Sequence, residues 1–234
     1  MKRLLHFFSR KPELIPELES RLAAWQSLPT AGPGAELETA RFVVVDVETS
    51  GLILAKDHLI AIGAVAVRAG TVDVGDSFEV VLQQQTASDR ENILIHGIGG
   101  SAQTGGIPPQ EALLAFLEYL GKDPLVAFHV VFDETMIRRA MRQFLGLDFK
   151  HQWLDLAYAV PALYPELSKK YRALDDWQNH FRIQNYARHS ALADAYSTAQ
   201  LFLVALQQAK RHRIARYKGL VDLEKAQRWV NWEG

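Results

Sequence analysis

The most constraining feature of the sequence is an apolar, β-branched run that ends in two carboxylates. Four consecutive apolar residues follow Arg41, and the run then reaches Asp46 and Glu48, one residue apart. Such a run predicts a buried β-strand, in which alternate side chains project to the same face about 7 Å apart. We therefore expect both carboxylates on one face of the strand, which Gly51 ends.

This carboxylate pair has two interpretations. Ionised carboxylates on one face repel each other and lose hydration, and a bound divalent cation would offset both effects. Alternatively, the strand ends at the protein surface and its acidic side chains simply face water. The pair alone does not separate these interpretations, so the rest of the chain must.

The composition excludes several classes of protein. With 234 residues, 48% of them hydrophobic and 23% charged, the chain should form one globular domain with appendages. It has no cysteine, so any metal must be bound through oxygen or imidazole. We see no run of roughly 18 apolar residues and no secretory signal, and therefore expect no membrane partner and a cytoplasmic location. The net charge of −1 leaves nucleic acid to be held by local basic groups and metal.

The chain divides into three predicted parts. They are a helical extension and linker over residues 1–40, a main domain over 41–209 and a basic C-terminal tail over 210–234. The extension carries the apolar stripe of an amphipathic helix, which makes it a candidate docking element for a polymerase or repair partner. The stripe consists of Leu14, Leu18, Leu22 and Trp25. The basic residues at 210–218 either grip a phosphate backbone or simply end a helix.

The order of apolar patterns predicts an α/β fold. Strands over about 41–49, 58–68 and 71–82 would form an antiparallel meander. A long loop over 83–109 then leads to further elements. These are a helix over 110–120, a short strand over 125–128, and helices over about 133–145, 154–163, 174–181 and 190–208. We therefore predict a mixed β-sheet flanked by α-helices.

Further acids follow elements of this predicted fold. Asp133 comes just after the short strand, where the dipole of the next helix favours a negative charge and a simple N-cap is the alternative. Asp155 is also predicted to be an N-cap. Asp194 lies inside an apolar helix, five residues after His189. A buried, unpaired carboxylate is costly, so a metal or a proton must compensate Asp194.

Three motifs taken together resemble those of the DEDDh exonucleases, the family that includes the proofreading epsilon subunit of bacterial DNA polymerase III. The motifs occur in the family's order over about residues 41–206. They are Asp46-Val-Glu48-Thr-Ser-Gly51-Leu52, Phe132-Asp133 after a short strand, and His189-x-Ala-Leu-x-Asp194-Ala. The resemblance implies a ribonuclease H-like fold.

The resemblance also implies a role for each matched residue. Asp46, Glu48 and Asp194 would hold one divalent ion, and Asp46 with Asp133 would hold a second. Oxygen ligands of this kind suit Mg²⁺ or Mn²⁺. His189 would act as the general base that takes a proton from the attacking water. The implied substrate-binding residues are Thr49, Gly51, Leu52, His96, Ile98 and His129.

The chain departs from the family pattern at two of these places. His129 stands where many members have an asparagine, and Gly99 stands where a threonine often follows the His-Gly-Ile segment. Neither departure touches the four acids. They therefore put the positioning of the terminal nucleotide, and hence the substrate preference, in question.

These roles imply a metal-dependent 3′-to-5′ exonuclease that acts on single-stranded DNA ends and releases nucleoside 5′-monophosphates. The same motifs fit a 3′-to-5′ exoribonuclease equally well. A third interpretation is a catalytically silent module that binds nucleic acid or docks on a polymerase. A module without chemistry, however, has no need for a cluster of repelling charges.

Overall fold

The computed structural model describes residues 12–30, 32, 34–185 and 188–232 of the chain. Strands in this part form one mixed sheet. They are β1 (Arg41–Thr49), β2 (Leu59–Arg68), β3 (Thr71–Val81), β4 (Leu125–Ala127) and β5 (Trp153–Asp155). The spatial order is β3-β2-β1-β4-β5, with β1 antiparallel to β2 and parallel to β4. The predicted mixed sheet is therefore confirmed.

Helices cover both faces of the sheet. They are α1 (Pro16–Ser27), α2 (Arg90–His96), α3 (Gly100–Thr104), α4 (Pro109–Leu120), α5 (Val130–Ala140), α6 (Leu156–Leu163), α7 (Leu174–Phe181), α8 (Ala191–Arg211) and α9 (Tyr217–Trp232). The helices α4 and α5 pack on one face of the sheet, and α6, α8 and α9 pack on the other. Among the described residues, no helix combines the length and the apolar character needed to cross a bilayer.

The alternation of side chains along β1 decides where its carboxylates point. Phe42 and Val44 are buried with α8 on one face of the sheet. The other face carries Val43, Val45 and Val47, which are buried with α4 and α5. Asp46 and Glu48 continue the first set, and so project toward the α8 side where the buried face ends.

The N-terminal helix α1 is present as predicted, and its apolar stripe is used within the chain. Leu18 and Trp25 are buried against α4, and the indole N–H of Trp25 donates to the carbonyl of Gly121 at 2.7 Å. Arg21 forms a bidentate ion pair with Glu118, at 2.8 and 2.7 Å. Docking of a polymerase or repair partner through this helix stays a prediction, but the stripe that suggested it is already covered.

The C-terminal segment differs from the predicted basic tail. Residues Tyr217–Trp232 form α9, which packs against α6 and β5. Basic residues are frequent at 210–218, so the composition of this segment does not indicate that Tyr217 and Leu220 are buried. The three-part division of the chain itself stays a prediction.

Other differences concern short elements and helix starts. The predicted loop over 83–109 contains α2 and α3, and β5 is a strand of three residues, too short to show a period. The helix predicted from Asp133 begins at Val130 and ends in a π-helical turn at Met141–Leu145. Asp133 therefore lies inside the first turn of α5, and His129 occupies the N-cap position instead.

Gly63 allows α8 to lie directly on β2. A Cβ atom at this position would overlap backbone atoms of Ala191 and Leu192, at the start of α8. Gly63 is also the cross-strand partner of Asp46. Because Gly63 has no side chain, the first turn of α8 can lie next to Asp46.

We expect Gly63→Ala to lower the free energy of unfolding by about 1–3 kcal/mol, because helix backbone cannot move aside as a flexible side chain can. Urea denaturation would measure this change. Gly34→Ala is a suitable control, since a Cβ there meets nothing within 4 Å, and it should change stability by less than about 0.5 kcal/mol. Equal stability of Gly63→Ala and the wild type would contradict the close contact.

Candidate active site

The candidate site lies at the edge of the sheet where β1, β4 and β5 end. These three strands are mutually parallel, so their carboxyl ends meet at one edge, where ligands of open α/β sheets bind. Asp46 and Glu48 lie at the end of β1, Asp133 follows β4, and Asp155 ends β5. Asp194 reaches the same edge from the first turn of α8.

Three of the four predicted metal-binding acids form one group. Asp46, Glu48 and Asp194 each offer a carboxylate oxygen, and these atoms all lie within 4.8 Å of one another. Two ligands on opposite sides of a Mg²⁺ ion are about 4 Å apart, so small side-chain rotations would bring all three atoms onto one ion. The donor set and its spacing therefore fit a divalent cation.

The pKa values of the acids reflect their crowding. Burial raises the pKa of Asp46 well above its usual range, and the charges of Asp133, Asp194 and Glu48 raise it further. Burial also raises the pKa of Glu48 to about 7, with a smaller effect from Asp194. Asp133, which is buried beside the group, has its pKa raised to about 8, mainly by burial and against opposing backbone hydrogen bonds. A bound cation would relieve this repulsion.

Asp194 is held by hydrogen bonds to both of its carboxylate oxygens. The side-chain amide of Asn185 donates to Oδ1, and the backbone N–H of His189 donates to Oδ2 at 2.9 Å. One turn along α8, the Ser197 hydroxyl donates to the Asp194 carbonyl and accepts from the Gln178 amide. Asn185, Gln178 and Ser197 were not among the residues predicted from sequence. Among them, Ser197 alone carried a local signal, its spacing of three residues from Asp194.

His189 lies at the mouth of the site, just before α8. Its side chain is exposed, so the imidazole is accessible to water and to a substrate. Its backbone adopts a left-handed conformation, with φ of 63°. A residue other than glycine keeps this conformation only where its surroundings hold it, and here its N–H is bound to the Asp194 carboxylate.

Hydrogen bonds among its own residues stabilise the turn after β1. The buried Thr49 hydroxyl donates to the Gly51 carbonyl at 2.7 Å. The Asp57 carboxylate accepts hydrogen bonds from the Ile53 N–H at 2.7 Å and from the Ser50 hydroxyl at 3.1 Å. A Cβ at Gly51 would overlap this carboxylate, so a larger residue there would displace Asp57 from its hydrogen bonds. No sequence pattern indicated this role of Asp57.

Other residues predicted to contact the substrate differ widely in exposure. Leu52 is 84% exposed, so its side chain is available for contact. His96 is only 4% exposed, and its ring bonds to the Asn92 side chain at 2.8 Å and accepts from the Ile98 N–H at 2.9 Å. The His96 side chain therefore stabilises the loop in which it lies. Ile98 is half-buried. The substrate-binding roles of all these residues stay predictions.

Asp155 caps two helices at the site. Its predicted N-cap role is confirmed, since its carboxylate accepts from the Ala157 N–H in the first turn of α6 at 3.0 Å. The same carboxylate accepts from the N–H groups of His129 and Val130 at 2.9 and 3.1 Å. His129, whose side chain is exposed, has a left-handed φ of 67°. Asp155 therefore fixes the start of α5, the helix that carries Asp133.

Comparisons with known sequences agree with this arrangement. A family model described as Exonuclease (RNase_T) matches residues 43–202, more than half of the chain. DNA polymerase III subunit epsilon of Aquifex aeolicus is 28% identical over 185 residues, which cover 79% of this chain and 90% of that protein. The PolC-type DNA polymerase III of Bacillus subtilis is 30% identical over 174 residues, 74% of this chain and 12% of the polymerase. For the PolC-type enzyme of Thermotoga petrophila the identity is 28% over 190 residues, 81% of this chain and 14% of the polymerase.

Solved structures show the same fold. Escherichia coli Exonuclease I, in complex with a dT13 oligonucleotide, has a TM-score of 0.61 and 18% identity, covering 74% of this chain and 42% of that chain. Exonuclease X, in complex with 5′ overhanging duplex DNA, has a TM-score of 0.57 and 18% identity, covering 72% of this chain and 93% of that chain. These similarities confirm the predicted ribonuclease H-like arrangement of the sheet and its helices.

The raised pKa values predict that site ionisation destabilises the metal-free fold as the pH rises. Folded Glu48 and Asp133 titrate at about pH 7 and about pH 8, whereas in the unfolded chain such groups ionise at about pH 4. Between these values the folded chain binds more protons than the unfolded chain, so these groups lower the free energy of unfolding as the pH rises.

Asp46→Asn isolates this effect, because it removes one of the repelling charges. In EDTA, we expect the Tm of Asp46→Asn to exceed that of the wild type by an amount that grows from pH 5 to pH 8. Saturating Mn²⁺ should reduce or reverse the difference, since only the wild type keeps the full ligand set. Thermal unfolding followed by circular dichroism would measure it. A Tm difference that does not change with pH would contradict the repulsion.

Proposed function

The chain belongs to the exonuclease family, and we propose that it is a metal-dependent 3′-to-5′ exonuclease acting on single-stranded DNA ends. In this proposal it hydrolyses the terminal phosphodiester and releases nucleoside 5′-monophosphates. The observation that carries the proposal is the set of oxygens from Asp46, Glu48 and Asp194 within 4.8 Å of one another. The preference for DNA is supported by relatives that are DNA polymerase III proteins and by fold neighbours solved with DNA.

The four acids are the residues that would hold the divalent ions. Asp46, Glu48 and Asp194 would bind one ion, and Asp46 with Asp133 a second, in an oxygen-only environment that suits Mg²⁺ or Mn²⁺. When bound, such ions supply electrostatic stabilisation to a phosphodiester under attack and lower the pKa of water. Without them, four carboxylates at one edge of the sheet would repel a phosphate. Substrate binding as well as hydrolysis should therefore depend on metal.

His189 is the proposed general base. Its imidazole is exposed, and its own backbone N–H is bound to the carboxylate of Asp194, so the residue lies beside the acid group. A base in this position could accept the proton of a water molecule that enters from solvent. The hydrogen bond to Asp194 keeps His189 at the mouth of the site.

The terminal nucleotide would meet apolar side chains. Leu52 is largely exposed and Ile98 is half-buried, and neither side chain can donate or accept a hydrogen bond. Apolar contact of this kind packs against any base without reading its edges, which supports little base preference. The Thr49 hydroxyl already donates its hydrogen to the Gly51 carbonyl, so discrimination between deoxyribose and ribose should be weak.

We expect His189→Ala to lower kcat by about 10² to 10⁴, because it removes the general base. Affinity for Mn²⁺ and thermal stability should be unchanged, since the side chain is exposed. Steady-state rates on a single-stranded oligonucleotide, together with a Mn²⁺ titration, would measure these effects. The control is His212→Ala, an exposed histidine at the C-cap of α8, 18 residues after Asp194 and therefore about 27 Å further along the helix. Normal turnover with reduced stability in His189→Ala would instead indicate a structural role.

The DNA preference predicts initial rates in a defined order. Single-stranded DNA should be cut faster than RNA of the same sequence, by a modest factor because the sugar is weakly discriminated. Blunt duplex ends should be slower than single strands, because each base pair must first open. Oligonucleotides labelled at either end would report both the rate and the polarity. Faster cleavage of RNA would favour the exoribonuclease, and no cleavage of any end with Mg²⁺ or Mn²⁺ would favour the silent binding module.

A further inference from the structure

We propose that the C-terminal helix α9 positions Asp133 through an ion pair between Arg228 and Asp155. The inference rests on the proposed function in one respect, since it takes Asp133 as a metal-binding residue. The helix α9 lies outside residues 43–202, the range that the family model matches. The contacts that position Asp133 would thus come partly from a helix outside the residues that the family model matches.

The Asp155 carboxylate is buried and fully hydrogen-bonded. It is 2% exposed, and each of its oxygens accepts two hydrogen bonds, the ordinary capacity of a carboxylate. The donors to Oδ1 are the N–H groups of His129 and Ala157, and those to Oδ2 are the N–H of Val130 and Nη2 of Arg228, at 2.9–3.1 Å. Arg228 is the cationic partner among these donors. Its loss would leave a buried negative charge with backbone partners alone, a costly arrangement.

Arg228 approaches Asp155 in a fixed orientation. Its Nε donates to the Glu224 carboxylate at 2.8 Å, one turn earlier on α9, and its guanidinium lies 4.3 Å from the centre of the Tyr158 ring. The buried Glu224 also accepts from the backbone N–H of Asp155 at 3.3 Å. Two residues of α9 therefore hold both the side chain and the backbone of Asp155.

The effect of this contact reaches Asp133 through the start of α5. Asp155 holds the N–H groups of His129, in its left-handed conformation, and of Val130, the first residue of the helix. Asp133 follows Val130 by three residues, within the first helical turn, and its side chain is 6% exposed. A first turn that loosens or shifts would move the Asp133 carboxylate relative to Asp46. Arg228 is thus a positioning residue that acts through Asp155.

Variants of the full-length chain would test this role. Arg228→Met keeps most of the side-chain stem and removes the guanidinium, and Arg228→Lys keeps the charge but cannot bond to Glu224 and Asp155 in the same geometry. Lys218→Met is the matched control, because Lys218 forms an exposed ion pair with Asp222 on the same helix. Two measurements apply to each variant: hydrogen exchange of the amides at 129–136, and titration with Mn²⁺ followed by electron paramagnetic resonance.

We expect faster amide exchange at 129–136 in Arg228→Met and Mn²⁺ binding weakened by about 10-fold, as for loss of an outer-shell partner. Arg228→Lys should change amide exchange and Mn²⁺ affinity in the same direction but by less. Lys218→Met should have the exchange rates and the Mn²⁺ affinity of the wild type. Unchanged exchange in Arg228→Met would overturn the proposal, as would tighter Mn²⁺ binding, which would mean that Arg228 acts by charge alone. If Arg228→Met does not fold, Arg228→Lys decides, and wild-type exchange in that variant would overturn the proposal.

Neither measurement depends on hydrolysis, so the two proposals fail separately. A wild-type chain that cuts no nucleic acid would refute the proposed function, while the exchange comparison would still decide the role of Arg228. A wild-type exonuclease whose Arg228→Met variant matches it in exchange and Mn²⁺ affinity would refute only the role of α9.

Discussion

The mutual repulsion of the carboxylates at the end of β1 must be balanced by the elements that surround them. Oxygens of Asp46, Glu48 and Asp194 lie within 4.8 Å of one another, and burial with this crowding raises the pKa of Glu48 to about 7. Acidic groups stay this close only if protons or a cation neutralise part of their charge and the backbone that carries them is held in place. The contact of α8 with Gly63 and the donors around Asp194 provide that rigidity. A fixed set of repelling oxygens is then an effective site for a divalent cation.

The parts predicted from sequence are those whose signal is local. The β-branched run of β1, the stripe of α1 and the apolar helix α8 each carry a period or a run that identifies the element. The acids at their ends were identified because they fall in motifs resembling one family. Asp155 was correctly predicted as an N-cap because that signal is also local: an aspartate at the start of a helix.

The parts that sequence could not show depend on contacts between distant residues. Arg228 lies 73 residues from Asp155, and nothing in the polar composition around it distinguishes it from other surface arginines. Asn185 and Gln178 likewise carry no motif, and they are recognised only by their hydrogen bonds around Asp194 and Ser197. An apolar stripe predicts burial without naming the partner, so the sequence of α1 could not show that the stripe packs against α4.

We propose that the acids at the end of β1 form a divalent-metal site. The most direct measurement is anomalous diffraction from crystals of the full chain grown with saturating Mn²⁺. We expect a Mn²⁺ ion bound by Asp46, Glu48 and Asp194, and a second ion bound by Asp46 and Asp133. Crystals in which these carboxylates bind no Mn²⁺, or in which Mn²⁺ is found only elsewhere on the chain, would contradict it.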